Sequence, residues 1–182
     1  MKKENTVMYV ARLAITLLII AAVMAAALAG VNSVTAPIIA DLKAEKTQQA
    51  IELVLPGGGD EVAFTDESGI VNTVYQGENG FAVEVAPVGF DSAITMMVGI
   101  DNEGNVLGLD IISHKETAGL GAVAAADTAA GAAFRDQFVG KSGSVAVSKD
   151  GGEIDALTGA TITSRAVSAG VNAALAVVAT MG

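Results

Sequence analysis

Cysteine is missing from this chain altogether, and histidine occurs once. The first absence rules out a disulfide, a zinc–thiolate site and a cysteine-ligated iron–sulfur cluster. The second rules out multi-histidine metal sites and bis-histidine haem. No metal site is expected, so redox chemistry here requires a bound organic cofactor. Tryptophan is absent too, and Tyr9 lies ahead of a long apolar run, so Tyr75 and the five phenylalanines are the rings available to stack on such a cofactor. Basic residues are scarce: 10 Lys plus Arg stand against 20 Asp plus Glu, a net charge of −10. Three of those basic residues (Lys2, Lys3, Arg12) fall in the first twelve positions, and from Asp41 onward seven face nineteen acidic residues, a difference of −12. An acidic domain of this kind does not suit nucleic acid or an anionic membrane surface.

Leu13 to Val31 reads LAITLLIIAAVMAAALAGV, with Thr16 as its one strongly polar residue. A helix of that length spans roughly 28 Å, enough for the hydrocarbon core of a bilayer. Lys2, Lys3 and Arg12 precede it, whereas Asp41, Lys43, Glu45 and Lys46 follow with no net positive charge. The positive-inside rule places the N-terminus in the cytoplasm and the remainder outside. A cleaved signal peptide is the competing reading, since Ala25–Gly30 is small enough to be cut. The run exceeds the usual h-region of about 7–15 residues, which favours a retained anchor. Either reading exports the domain.

Beyond the anchor, Thr35–Leu55 has the pattern of a helix, with Pro37 in its first turn and Pro56-Gly57-Gly58-Gly59 as its stop. It reads as a stalk. Strand-like runs follow at Glu61–Thr65, Ile70–Gln76, Phe81–Pro87, Ile94–Ile100 and Val106–Ile112, the last two joined by the turn signal Asp101-Asn102-Glu103-Gly104-Asn105. Residues 122–133 are small and Ala-rich, a helix or packed loop. Ser144–Ser148 reads as a short strand and Lys149-Asp150-Gly151-Gly152 as a turn. Ser164–Met181 is helical, with Val167, Val171, Leu175 and Val178 on one face. Its Ala-rich composition suits packing on a sheet better than a second membrane span. The fold class is α+β, an antiparallel sheet packed with helices and preceded by one N-terminal transmembrane helix.

The segment Asp155-Ala156-Leu157-Thr158-Gly159-Ala160-Thr161-Ile162-Thr163-Ser164 crowds small residues and hydroxyls before that last helix. The plain reading is a cap: Thr163 or Ser164 satisfies the first turn and Gly159 makes a turn. A helix start also offers free N–H groups and a positive dipole end, a ready place for phosphate. Gly159 and Ala160 leave room for a bulky group to approach the backbone.

The stretch Asp-x-x-[Ser/Thr]-Gly-Ala-Thr resembles the flavinylation motif of the FMN-binding domain in the Rnf and Nqr respiratory complexes. Asp155, Thr158, Gly159, Ala160 and Thr161 occupy its positions, and Thr163 and Ser164 fit as well. The resemblance implies that the phosphate of FMN is esterified to Thr161 by a separate Mg-dependent flavin transferase using FAD, and that Asp155 serves recognition by that transferase. Ser113-His114-Lys115-Glu116-Thr117-Ala118-Gly119-Leu120-Gly121 resembles the family's His-x-Glu-Thr-Pro-Gly-Leu-Gly loop, with Ala118 in place of the proline. It implies that Glu116, Thr117, Gly119, Leu120 and Gly121 approach the flavin, with His114 behind them. Phe134-Arg135-Asp136-Gln137-Phe138 and Lys149-Asp150-Gly151-Gly152 also look like the family. The likeness covers most of the chain and is greatest to the Rnf G subunit. The Nqr C subunit, usually a longer chain, is the related alternative.

By this resemblance the chain is a membrane-anchored electron-transfer subunit of an Rnf-type ferredoxin:NAD oxidoreductase complex coupled to Na⁺ or H⁺ translocation. Its expected partners are the other subunits of that complex, the flavin transferase during maturation, and membrane lipid. No catalytic residue of its own is expected. The single span has no mid-membrane charge, so it is read as a relay and not the ion channel. A standalone extracellular flavoprotein, or an anchored binding domain whose Thr-Gly-Ala-Thr is only a cap, are the other readings. The expected organisation is a cytoplasmic N-terminus (1–12), a transmembrane helix (13–31), a stalk helix and linker (32–59) and an extracytoplasmic FMN-binding domain (60–182).

Overall fold

A computed structural model describes residues 6–181, the side chains of Thr6 and Val7 excepted. Lys2 and Lys3, which carry part of the orientation argument, lie outside the described residues. The chain divides into two units, Met1–Glu45 and Lys46–Gly182.

The first helix, α1, is continuous over Thr6–Val54. Two helices, an anchor and a stalk starting near Pro37, were expected; Pro37 instead lies inside α1. A helical proline forfeits the hydrogen bond to the carbonyl four residues back, here that of Ser33. The neighbouring hydroxyls bond along the helix, Ser33 Oγ to the Gly30 carbonyl at 2.8 Å and Thr35 Oγ1 to the Val31 carbonyl at 2.8 Å. This stretch is exposed, so water can satisfy the one carbonyl left over. From Met8 onward α1 is long and apolar enough to cross a membrane, and none of its most apolar window is buried.

In the second unit, five strands form an antiparallel meander in the order β1 (Asp60–Val62), β2 (Val71–Gly77), β3 (Gly80–Val85), β4 (Thr95–Asp101) and β5 (Val106–Ser113). Each matches an expected strand to within a few residues. The β4–β5 turn forms because the Asp101 carboxylate accepts from the N–H groups of Glu103 (2.9 Å) and Asn105 (2.8 Å). Strand alternation sends side chains to two cores. Phe81, Val83, Val85, Met96, Val98 and Ile100 join the helices on one face. Ala82, Met97 and Ile112 meet Ala50, Ile51, Val54 and Leu55, from the last turns of the segment read as stalk, on the other.

Helix α2 (Ala129–Asp136) follows a 3-10 turn at Gly121–Ala125, and Thr128 Oγ1 caps it by accepting from the Gly131 N–H. Helix α3 spans Thr161–Ala179. Its stripe of Val167, Val171, Leu175 and Val178 is buried in the larger core. At ~1.5–3 kcal/mol per buried aliphatic side chain, that face alone holds the helix on the sheet. α3 also has the length and hydropathy of a membrane span, but two thirds of it is buried, as its composition led us to expect.

Ser144–Ser148 is not a strand. It makes one bridge, Val147 with Ile154. The side-chain amide of Asn172 on α3 does a neighbouring strand's work instead: its Oδ1 accepts from the Val145 N–H at 2.7 Å, and its Nδ2 donates to the Val145 carbonyl at 2.8 Å.

Candidate functional site

Thr161 is the first residue of α3, and Ala160 stands at the cap position with no side chain capping the turn. The expectation that Thr163 or Ser164 caps this helix is corrected, because α3 begins three residues earlier than Ser164. Both hydroxyls are inside the helix and have tertiary partners. Thr163, 2% exposed, donates to Glu116 Oε2 in a short hydrogen bond. Ser164 accepts from the Leu157 N–H at 3.0 Å and donates to the Ala160 carbonyl at 3.0 Å, stitching the preceding segment onto the helix. The first-turn amides are thereby left without a side-chain acceptor.

Glu116 is 7% exposed. Its Oε1 accepts from the N–H groups of Phe90 (2.9 Å) and Asp91 (3.3 Å), and its Oε2 takes the Thr163 hydroxyl. One buried carboxylate thus ties the β3–β4 loop, the loop after β5 and the first turn of α3 together. His114 stands behind it, its Nδ1 accepting from the Glu116 N–H at 3.2 Å.

These three segments and a turn that carries Lys149 enclose a half-open cavity of about 280 Å³ lined by Phe90, Glu116, Thr117, Leu120, Gly121, Lys149, Gly159, Ala160, Thr161, Ile162 and Thr163. Two glycines are required. A Cβ on Gly121 would meet Glu116 Oε2 at 2.6 Å and press on the Thr163 hydroxyl. Gly159 has φ +75°, and a Cβ there would meet Leu120 Cδ2 at 2.9 Å. The rim is apolar and exposed: Phe90 is 66%, Ile162 50% and Leu120 43% exposed.

Of the residues expected from sequence, Thr161, Gly159, Ala160, Thr163, Glu116, Thr117, Leu120 and Gly121 line this cavity. Ser164 is buried beneath it, and His114 borders a small void behind it. Gly119, Thr158 and Asp155 do not line it. Asp155 and Thr158 are exposed, and the Asp155 backbone pairs with the Gln137 amide through an N–H to Oε1 bond of 2.6 Å and an Nε2 to carbonyl bond of 3.2 Å. Sequence reasoning did not single out Phe90, counted only among five phenylalanines, or Ile162, and it read Lys149 only as part of a family-like turn. Phe90 had a signal, being a phenylalanine in the turn-rich stretch after Pro87. Phe134 and Phe138 pack against each other in the core, and Tyr75 faces the other core.

Lys149 sits on a 3-10 turn, Ser148–Asp150, and its Nζ donates to Thr161 Oγ1 at 3.0 Å. Asp150 fastens that turn to α3 by a two-pronged pair with Arg165, at 2.7 Å from Nε and 2.6 Å from the second guanidinium nitrogen. The Arg165 hydrogen bond, with its charge, holds the Asp150 carboxyl below its ordinary 3.8. A larger groove of about 790 Å³ lies between residues 63–68 and the last turns of α3, but none of the motif residues touches it.

The FMN-binding domain family model matches residues 89–176, which hold the whole cavity lining. Over 192 aligned residues the chain is 34% identical to the G subunit of the Na⁺-translocating ferredoxin:NAD⁺ oxidoreductase complex of Acetobacterium woodii, covering 91% of this chain and 90% of that one. The chain belongs to the G-subunit family of ion-translocating oxidoreductase complexes. The G subunit of the ion-translocating oxidoreductase complex of Methanosarcina acetivorans is 31% identical over 87% of this chain and 88% of its own length. That of Photorhabdus laumondii is 35% identical over 84% and 82%. In this member of the G-subunit family, eight of the thirteen residues expected from sequence line the cavity at the start of α3.

Proposed function

We propose that this chain is the electron-relay subunit of an ion-translocating ferredoxin:NAD⁺ oxidoreductase complex and that it carries FMN joined through its phosphate to Thr161. Its membership of the G-subunit family and its FMN-binding domain support an electron-transfer role within a multi-subunit, membrane-associated complex. The observation that carries the attachment is the position of Thr161: a half-buried hydroxyl on the lining of the cavity, at an uncapped helix start.

The lining fits the cofactor. The first-turn amides and helix dipole would hold the phosphate charge, a contribution of about 0.3–1 kcal/mol at an exposed site. Phe90, Leu120 and Ile162 offer an apolar rim for the ring system, and the volume is close to the ~300 Å³ lower end for ligand pockets. Thr117 and Gly121 lie on the wall, and the Glu116–Thr163 bond fixes the floor. FMN supplies the redox chemistry when bound. The tether makes rebinding intramolecular, so these modest contacts suffice. Thr161 has no histidine base beside it, in keeping with esterification by a separate flavin transferase. The exposed Asp155 and Thr158 are where such an enzyme would read the motif, and Gly119 lets the loop reach Leu120.

We further assign the membrane span to residues 13–31 and the stalk to 32–59, with residues 1–12 cytoplasmic and the domain from residue 60 on the other side. The charges around the span support this orientation. Coexpression with a flavin transferase tests the attachment. The chain should fluoresce as a flavoprotein after denaturing electrophoresis, Thr161→Ala should be dark, and fluorescence persisting in Thr161→Ala would refute the assignment.

A further inference from the structure

We infer that Lys149 is a working part of the attachment site, steering the phosphoryl group onto Thr161 and neutralising the ester that results; this rests on the reading of Thr161 as the acceptor. Among the described residues, the cavity lining holds one cation, Lys149, and one carboxylate, Glu116, which is already engaged by three donors. The ammonium reaches across twelve residues of sequence to touch Thr161 Oγ1 itself. A cation in contact with the oxygen on which phosphorus arrives also sits beside the charge that arrives with it.

The chain invests structure in this contact. Lys149 is carried on a turn held at both ends. Its Ser148 N–H bonds to the Ile154 carbonyl at 2.7 Å, and the Asp150–Arg165 pair clasps it to the first turns of α3. Arg165 lies four residues after Thr161, so it rises from the same side of the helix. Two-pronged guanidinium–carboxylate geometry fixes orientation as well as distance.

The transfer step balances as follows. The Thr161 oxygen forms a bond to the flavin-side phosphorus of a flavin dinucleotide. The bond from that phosphorus to the bridging pyrophosphate oxygen breaks, and AMP leaves with the electron pair. The hydroxyl proton passes to a base on the transferase or to solvent. Lys149 keeps its proton throughout. It donates to the attacking oxygen, leaving the hydroxyl hydrogen free to depart, and offers its charge to the phosphoryl oxygens. After transfer the diester keeps one negative charge, shared between the ammonium and the start of α3.

The test uses the purified full chain in detergent with a flavin transferase, Mg²⁺ and FAD, following FMN incorporation by intact mass over time. Lys149→Gln should slow incorporation about tenfold, less than the ~10²–10³ of a buried donor because this ammonium is solvated. Lys149→Arg should restore most of the rate. Arg165→Gln keeps the ammonium but frees its turn, and should slow incorporation about threefold; it carries the test should Lys149→Gln not fold. In loaded protein, the ³¹P resonance of the diester should move in Lys149→Gln, a change that a purely structural lysine would not cause. Incorporation at the wild-type rate in Lys149→Gln, or equal slowing in Lys149→Arg and Lys149→Gln, overturns the inference. No incorporation into the wild-type chain would instead overturn the Thr161 reading on which it rests.

Discussion

Replacing Glu116 with alanine tests whether one buried carboxylate holds the site together. Three donors converge on it: the amides of Phe90 and Asp91 and the hydroxyl of Thr163. Hydrogen bonds to a charged group contribute about 1.5–3 kcal/mol each, and a buried donor left without an acceptor costs about 1–3 kcal/mol. Against this stands the relief of no longer burying a charge. The net loss should be about 3–5 kcal/mol, the cost of three orphaned donors less that relief. At ~2–4 °C per kcal/mol, the melting midpoint should fall by about 10 °C. Glu116→Gln preserves length and one acceptor, and should cost only about 1 kcal/mol. The assay is urea unfolding of the detergent-solubilised, flavin-free chain, so that no cofactor contributes. A cycle with Thr163→Val should give a coupling of about 1–3 kcal/mol. Loss within about 0.5 kcal/mol of wild type for Glu116→Ala, or strict additivity with Thr163→Val, would refute the reasoning.

Three further outcomes follow from the same geometry. Gly121→Ala drives a Cβ into Glu116 Oε2 and the Thr163 hydroxyl, so it should cost about 1–3 kcal/mol in the same unfolding assay and lower the FMN content of protein coexpressed with the transferase. Phe90→Ala removes the one aromatic ring on the cavity lining and should increase flavin fluorescence and its solvent quenching while leaving incorporation intact; an unchanged emission would remove Phe90 from the flavin contact. The Asp150 carboxyl titrates below its ordinary 3.8 because of Arg165, so the clasp is fully formed above that value and is lost as pH falls through the lower folded value. Carboxyl NMR should place its midpoint below 3.8, and Arg165→Gln should return it to the ordinary aspartate range.

Much of this architecture is legible in the sequence because local and tertiary demands agree. The apolar runs from Val71 to Ser113 are separated by turn residues, Asp101 and Asn105 announce the β4–β5 turn, and the Val167–Val178 stripe gives the buried face of α3. The reading failed where a tertiary partner replaced a local one. Thr163 and Ser164 have the composition of caps, but Glu116 and the Leu157 amide take their hydroxyls, and the helix grows back to Thr161. Ser144–Ser148 looks like a strand, and Asn172 provides its partner from a helix. Pro37 looks like a helix start, yet an exposed helix can lose one hydrogen bond to water and continue. Of the residues the family resemblance implied, eight line one cavity, whereas Gly119, Thr158 and Asp155 stand outside it. Lys149 and Phe90 were harder to see because their roles depend on loops that reach the cavity from distant parts of the chain, and neither loop has a periodic pattern.

The central claim is that Thr161 carries the flavin. Intact mass of the full chain, purified from cells that contain a flavin transferase, followed by mass mapping of its peptides, addresses it directly. The expected result is a gain of one FMN less one water, confined to the peptide that holds Thr161 and absent from Thr161→Ala. An unmodified wild-type chain, or the same added mass on another residue, would contradict it.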